Sequence, residues 1–149
     1  MFDEYREFES SLRDVSKCVV HTAKVLATSG STAPETYLAA IQAIRALQKA
    51  WLLHLEIERV LFPRMVSNNW ISANLLGRIA ANNQIIEDQL KDVMTAPWPR
   101  SAQAGLQSLR TGVSKILVHL RAQIKHEHAL ILATAHVSAE TQMSELLSS

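Results

Sequence analysis

The chain has 149 residues, of which 48% are hydrophobic and 19% are charged, so we predict a single domain over residues 1–149 with a substantial core. Only 4 Gly and 4 Pro interrupt it, which argues against turn-rich β-sandwiches and against glycine-rich phosphate-binding folds. The formal net charge of +1 shows no basic excess for nucleic-acid binding, and the single Cys18 excludes an internal disulfide and a CxxC zinc site.

Three breaks divide the chain into four segments, at residues 28–35, 63–69 and 96–101. In the first break, Gly30 is predicted to close a helix in a left-handed conformation, and Thr32 with Glu35 has the spacing of a capping box. In the third break, Ser101 follows two prolines and is available to cap the next helix. These signals predict helices between the breaks.

Each segment carries apolar residues at helical spacing, and none alternates with period two long enough to compete as a strand. We therefore predict an all-α fold, an antiparallel up-down-up-down four-helix bundle with a short C-terminal helix from about Ser138 to Leu147. The stripes that carry this prediction include Leu12, Val15, Val19 and Leu26; Ile44, Leu47, Trp51 and Leu61; Ile79, Ile86 and Leu90; and Leu109, Val113, Ile116 and Leu120.

Polar residues interrupt these stripes where a core is expected. His54 and Glu58, four residues apart in the second segment, both fall on the apolar face, as do Gln123 and Glu127 in the fourth segment. Asn83 interrupts a run of Ile and Leu in the third segment. A buried carboxylate is costly unless it is paired, hydrogen-bonded or bound to a metal, so these positions are candidate functional residues.

Two interpretations of these polar residues remain open. Inward glutamates from two helices, together with inward histidines, are what a carboxylate-bridged metal pair requires. A buried polar network, in which amides satisfy protonated or solvated glutamates, accounts for the same pattern without a metal. Spacing alone does not decide between them.

Two stretches resemble the signature of the hemerythrin-like (HHE cation-binding) domain family. The stretch from His54 to Pro63 resembles its H-x-x-x-E-x-x-L-F-P motif, and the stretch from Gln123 to Leu132 is similar to its second copy. The resemblance covers roughly residues 10 to 135. It implies a four-helix bundle with a non-haem di-iron centre that binds oxygen or senses oxygen, nitric oxide or iron.

The resemblance also implies ligands from all four helices. Two of the six family positions are amides here instead of histidines, and amide carbonyls are weaker iron ligands than imidazole. The expected site is therefore a weakened iron centre, mononuclear or dinuclear, or a site without metal. The six positions are His21 in the first helix, His54 and Glu58 in the second, Asn83 in the third, and Gln123 and Glu127 in the fourth.

Neighbouring histidines offer one way to replace the lost ligands. His119 lies one turn before Gln123, and His126 lies beside Glu127, both offset from the apolar face. The alternative interpretation places His119, His126 and His128 on the helix surface in contact with solvent.

Two hypotheses for function follow. The first is a hemerythrin-like protein with a degenerate iron site and a sensory, storage or regulatory role, whose partners are a metal ion and a small diatomic ligand. The second is a metal-free bundle that acts as a partner-binding or dimerising regulatory module. An enzyme that uses a mononuclear metal for peroxide or hydrolytic chemistry is an unsupported alternative, because the sequence contains no hydrolase or phosphate-binding motif. The acidic N-terminal stretch and the lack of a long apolar segment predict a cytoplasmic protein with no membrane partner.

Overall fold

The computed structural model describes residues 2–28 and 30–148, apart from the side chains of residues 2, 135–145 and 148. Within that part of the chain the secondary structure consists of four helices and no strand, which confirms the all-α prediction. The first and third connections, residues 28–32 and 95–101, fall at predicted breaks. The second connection, residues 68–72, begins later than the break predicted at 63–69, because α2 continues through Pro63. The helices are α1 (Phe2–Ala27), α2 (Ala33–Ser67), α3 (Ala73–Met94) and α4 (Ala102–Ser148).

Hydroxyl side chains cap the start of the three later helices. The Thr32 side chain accepts a hydrogen bond from the Glu35 amide at 3.4 Å, so the predicted start of α2 is confirmed. Ser72 caps α3 in the same way, and Ser101 accepts from the Ala104 amide at 3.1 Å, as predicted for α4. Each cap satisfies a backbone N–H that has no partner inside its helix.

The end of α1 differs from the prediction. No glycine in the described part of the chain has a positive φ, so the left-handed conformation predicted for Gly30 was wrong. Side chains cap this end instead. The Thr28 hydroxyl donates to the Lys24 carbonyl at 3.0 Å, and the guanidinium of Arg110 in α4 donates to the Leu26 carbonyl at 2.8 Å. These bonds satisfy carbonyls that the last turn leaves free.

The long α4 also differs from the prediction. It runs without a break from Ala102 to Ser148, through the region predicted as a separate short helix from about Ser138 to Leu147. Because no Gly or Pro follows Gly112, the sequence holds no residue that would end the helix there. A separate C-terminal helix is therefore wrong for this chain.

The four helices pack around two apolar clusters. α1 and α3 each contact both α2 and α4, and α2 also contacts α4. The larger apolar cluster contains Val15, Val19, Leu26, Ile44, Leu47, Trp51, Leu55, Ile86, Leu90, Leu106, Leu109, Val113, Ile116, Leu117 and Leu120. The smaller apolar cluster contains Tyr5, Phe8, Leu12, Leu61, Phe62, Met65, Ile71, Ile79 and Ile131.

Between these clusters the inward faces of α2, α3 and α4 change from apolar to polar, and Ser11 of α1 lies at the same level beside His54. On α4, for example, two buried polar residues separate Leu120 of the larger cluster from Ile131 of the smaller one. We call this level of the core the polar layer, and it positions the candidate site. Its buried members are Ser11, His54, Glu58, Asn83, Gln123 and Glu127.

None of the helices, over its described residues, combines the length and the apolar character that a membrane crossing requires.

Candidate metal centre

His54 lies at the middle of the polar layer and is fully buried on α2. Its imidazole packs between two aromatic rings, with centroids 4.8 Å from Phe8 and 5.6 Å from Trp51. Its Nδ1 lies 2.6 Å from the Ser11 hydroxyl, and its Nε2 lies 3.0 Å from Glu58 Oε1 and 3.2 Å from Glu127 Oε2. One ring nitrogen therefore faces a hydroxyl, and the other faces two carboxylates.

The Ser11 hydroxyl determines which nitrogen of His54 carries a proton. Ser11 Oγ lies 2.9 Å from the Phe8 carbonyl oxygen, which can only accept, so the single hydroxyl proton is used there. The Ser11 oxygen then accepts from Nδ1–H of His54. In the neutral imidazole this leaves Nε2 with its lone pair directed at the carboxylates of Glu58 and Glu127.

The Glu58 carboxylate lies one helical turn after His54 and is 5% exposed. Its Oε2 accepts a hydrogen bond from Asn83 Nδ2 at 2.5 Å, whereas Oε1 has no hydrogen-bond partner, since its close contact with His54 lacks hydrogen-bond alignment. Desolvation by burial raises the pKa of Glu58, and a protonated His54 and the hydrogen bond from Asn83 would offset part of this increase.

The Glu127 carboxylate is buried more deeply and has fewer partners. The residue is fully buried on α4, and its Oε2 contacts His54 Nε2. Its Oε1 has no hydrogen-bond partner among the described residues. Two carboxylates from different helices thus converge on one imidazole nitrogen, and each has an oxygen with an unsatisfied lone pair.

Two amides extend this arrangement to the other helices. Asn83 on α3 donates to Glu58, and Gln123 Nε2 on α4 donates to Asn83 Oδ1 at 3.2 Å. Both amides are nearly fully buried. Together with Ser11 on α1 they connect the carboxylate–histidine group to all four helices.

Three atoms of this group are arranged as metal ligands would be. One ligand atom each from His54, Glu58 and Glu127 lies within 4.8 Å of the others, and all three residues are buried. In the described part of the chain, no other group of three or more His, Cys, Asp or Glu side chains has this property. The orphaned oxygens Glu58 Oε1 and Glu127 Oε1 and the free lone pair of His54 fit a bound cation.

Five of the six residues predicted from sequence lie together in the polar layer, and His21 does not. His21 is exposed on the outer face of α1, beside Arg13 and Lys17. The α1 position beside His54 is occupied by Ser11. His21 lies roughly 15 Å further along the helix, since an α-helix rises about 1.5 Å per residue.

Sequence reasoning missed Ser11. The available signal was its position on the buried stripe, three residues after Phe8 and four before Val15, where it is the polar residue on an apolar face. The family resemblance implies a histidine in the first helix, and a serine on a helix carries no comparable signal for metal binding.

The three neighbouring histidines, His119, His126 and His128, are exposed. His119 and His126 line a groove of about 370 Å³ between α3 and α4, and His119 Nδ1 lies 3.3 Å from Gln89 Oε1. None belongs to the described ligand group.

Comparison of the chain with known protein families, with curated proteins and with solved structures finds no match in any of the three.

Proposed function

We propose that the chain binds one divalent transition-metal ion at His54, Glu58 and Glu127, and that it is a hemerythrin-like domain with a reduced site. The proposal is supported by three buried ligand atoms within 4.8 Å of one another. One imidazole and two carboxylates are a ligand set suited to ferrous iron, manganese or zinc. A divalent cation would also balance the two negative charges, which are costly to bury alone.

The single observation that carries the proposal is the convergence of two buried carboxylates on His54 Nε2. Nε2 faces Glu58 at 3.0 Å and Glu127 at 3.2 Å, and two lone-pair-bearing groups at this distance require a proton or a cation between them. A proton on Nε2 lets His54 donate to Glu127 Oε2, but it leaves Glu58 Oε1 and Glu127 Oε1 without hydrogen-bond partners. One cation satisfies the nitrogen and both carboxylates at once.

The surrounding residues of the chain have defined roles in this account. When bound, iron at this site would supply Lewis-acid and redox chemistry toward a small diatomic ligand. Ser11 holds the tautomer of His54 that leaves Nε2 free, as the outer partner of a metal-bound histidine does. Phe8 and Trp51 enclose the imidazole and exclude water. We therefore infer a sensory, storage or regulatory role.

The site also has a route to solvent. Glu58 and Asn83 line a groove of about 310 Å³ between α2 and α3, which reaches the otherwise buried layer. This groove would admit an ion or a small ligand beside Glu58 without separating the helices.

We also propose that the helices form an antiparallel up-down-up-down bundle. In support, contacts of α1 with α2 and of α3 with α4 pair rising residue numbers on one helix with falling numbers on the next. The contact between α2 and α3 lies about equally far from their connection on both helices. The pairs are Glu4–Arg64 and Ser11–His54 for α1 and α2, Glu58–Asn83 for α2 and α3, and Asn83–Gln123 and His119–Gln89 for α3 and α4.

Elemental analysis of chelator-stripped and reloaded protein tests the proposed function. The wild type is expected to retain one ion per chain, and Glu127→Gln is expected to retain none. Glu56→Gln is the matched control, because Glu56 is an exposed glutamate on α2, and it should load like the wild type. Equal metal content in all three proteins, or none in the wild type, would overturn the proposal.

A second candidate function is a metal-free partner-binding or dimerising module. The observation that favours it is Trp98, which lies between Pro97 and Pro99 in the loop before α4 and is 88% exposed. Exposed aromatic side chains on rigid segments are common interface anchors. Sedimentation of the wild type and of Trp98→Ala tests the dimer: loss of a dimer in the variant supports it, and a monomeric wild type contradicts it.

A further inference from the structure

The buried amides of Asn83 and Gln123 form a directed chain of hydrogen bonds that ends on Glu58. Gln123 Nε2 lies 3.2 Å from Asn83 Oδ1, and Asn83 Nδ2 lies 2.5 Å from Glu58 Oε2. The two amides come from α4 and α3 and the carboxylate from α2, so these hydrogen bonds link three helices. Asn83 and Gln123 are only 5% and 6% exposed, so water has little access to replace either bond.

The direction of these hydrogen bonds follows from the Glu58 carboxylate on which they end. An ionised carboxylate only accepts hydrogen bonds, so Asn83 must turn its NH₂ group toward Glu58. The Asn83 carbonyl then points away from Glu58 and needs a donor, which Gln123 supplies. Without that donor, the buried Asn83 carbonyl has no partner, and the amide that donates to Glu58 is held by that one hydrogen bond alone.

We propose that Gln123 is a positioning residue that acts through Asn83 to fix Glu58 as a one-oxygen metal ligand. This inference rests on the proposed function, since it concerns the same site. The amide chain occupies Glu58 Oε2 and leaves Oε1, the oxygen without a hydrogen-bond partner, for the ion. Gln123 therefore limits how Glu58 binds the metal without contacting the metal itself.

A double-mutant cycle with Co²⁺ as the probe tests this role. Co²⁺ affinity is measured by calorimetry on the wild type, Gln123→Leu, Asn83→Leu and the double variant, with Gln107→Leu as the control at an exposed glutamine of α4. We expect the Kd of Gln123→Leu to rise about 10- to 100-fold, the range typical of lost outer partners of metal ligands. In the double variant, loss of Gln123 is expected to add no further change, because it acts only through Asn83.

The visible absorption of bound Co²⁺ provides a readout that a purely structural role would not change. Release of Glu58 Oε2 is expected to alter the coordination of the ion and hence this spectrum in Gln123→Leu but not in Gln107→Leu. Gln123→Asn is a second variant that keeps an amide but shortens the side chain by one methylene. Gln123→Asn is expected to raise the Kd as well. That result would show that the lost contact with Asn83, and not the apolar character of leucine, weakens metal binding.

The outcomes separate this inference from the proposed function. Wild-type Co²⁺ binding with an unchanged Kd and spectrum in Gln123→Leu and Gln123→Asn would overturn the positioning role and leave the metal site intact. Additive effects of the Gln123 and Asn83 substitutions would also overturn it. A wild type that binds no Co²⁺ would overturn both claims.

Discussion

The polar layer and the larger apolar cluster lie on the same helices, only a turn or two apart, and both are buried. In the apolar cluster, Leu47 and Leu120 are wholly enclosed by other apolar side chains, so their burial stabilises the fold. In the polar layer, His54 and Glu127 are enclosed to the same degree, yet two carboxylate oxygens remain without hydrogen-bond partners. Under the proposed function, the apolar cluster serves stability and the polar layer serves binding, because its unpartnered atoms are carboxylate oxygens, whereas Trp51 Nε1 in the apolar cluster is a neutral donor.

A truncation in the apolar cluster is expected to give the largest change in stability. Leu120→Ala removes a fully buried side chain and should lower the free energy of unfolding by about 2–5 kcal/mol, because it leaves a cavity as well as lost apolar contact. Chemical denaturation of the metal-free protein measures the change. Val118→Ala, at an exposed position of the same helix, is the control. Loss of metal binding in a folded Leu120→Ala protein would contradict the assignment of stability to the apolar cluster and of binding to the polar layer.

An isosteric change in the polar layer is expected to act in the opposite direction. In metal-free protein, Glu58→Gln places an NH₂ group where Oε1 faces the His54 lone pair and keeps an oxygen toward Asn83. We expect stabilisation of about 1–3 kcal/mol, the usual range for removing an unsatisfied buried polar group. Denaturation beside the control Glu56→Gln measures it. A clear loss of stability in Glu58→Gln would contradict the assigned tautomer of His54.

The pH dependence of stability sharpens the same comparison. Burial raises the pKa of Glu58 above its usual value of 4.5, so folded metal-free protein holds this proton more tightly than the unfolded chain does. The free energy of unfolding should therefore fall as pH rises from about 4.5 to the raised pKa, and then show no further contribution from Glu58. Denaturation midpoints across this range measure the slope. Glu58→Gln should flatten it, and an unchanged slope in that variant would assign it to another group.

The smallest effect is expected at His21. Because His21 is exposed on α1 and outside the ligand group, His21→Ala should leave both stability and metal content close to those of the wild type. Elemental analysis of the variant measures this. A loss of metal comparable to that in Glu127→Gln would show that His21 contributes to metal binding.

Much of the helical architecture could be predicted from the sequence, because each helix is fixed by local features. Thr32 and Ser101 cap helices where they were expected, and the apolar stripes point into the core. The end of α1 could be predicted only in part from local signals, since Arg110 in the distant helix α4 caps it together with the local Thr28. The length of α4 could be predicted from the lack of Gly and Pro after Gly112, which argues against a separate C-terminal helix.

The candidate site was predictable where periodicity alone places a residue. His54, Glu58 and Glu127 lie on the inward faces that their spacing indicates, and they meet in the polar layer. The α1 residue depended on the longitudinal register between α1 and α2, which a sequence pattern does not contain. For that reason Ser11, and not His21, contacts His54.

Anomalous diffraction from crystals of the protein loaded with Zn²⁺ tests the central claim most directly. The account predicts one peak per chain in the polar layer, about 2.0–2.2 Å from His54 Nε2 and from one oxygen each of Glu58 and Glu127. The peak should be missing in Glu127→Gln crystals prepared identically. Crystals of the loaded wild type with no peak in the polar layer, or with zinc only at surface histidines such as His119, would contradict it.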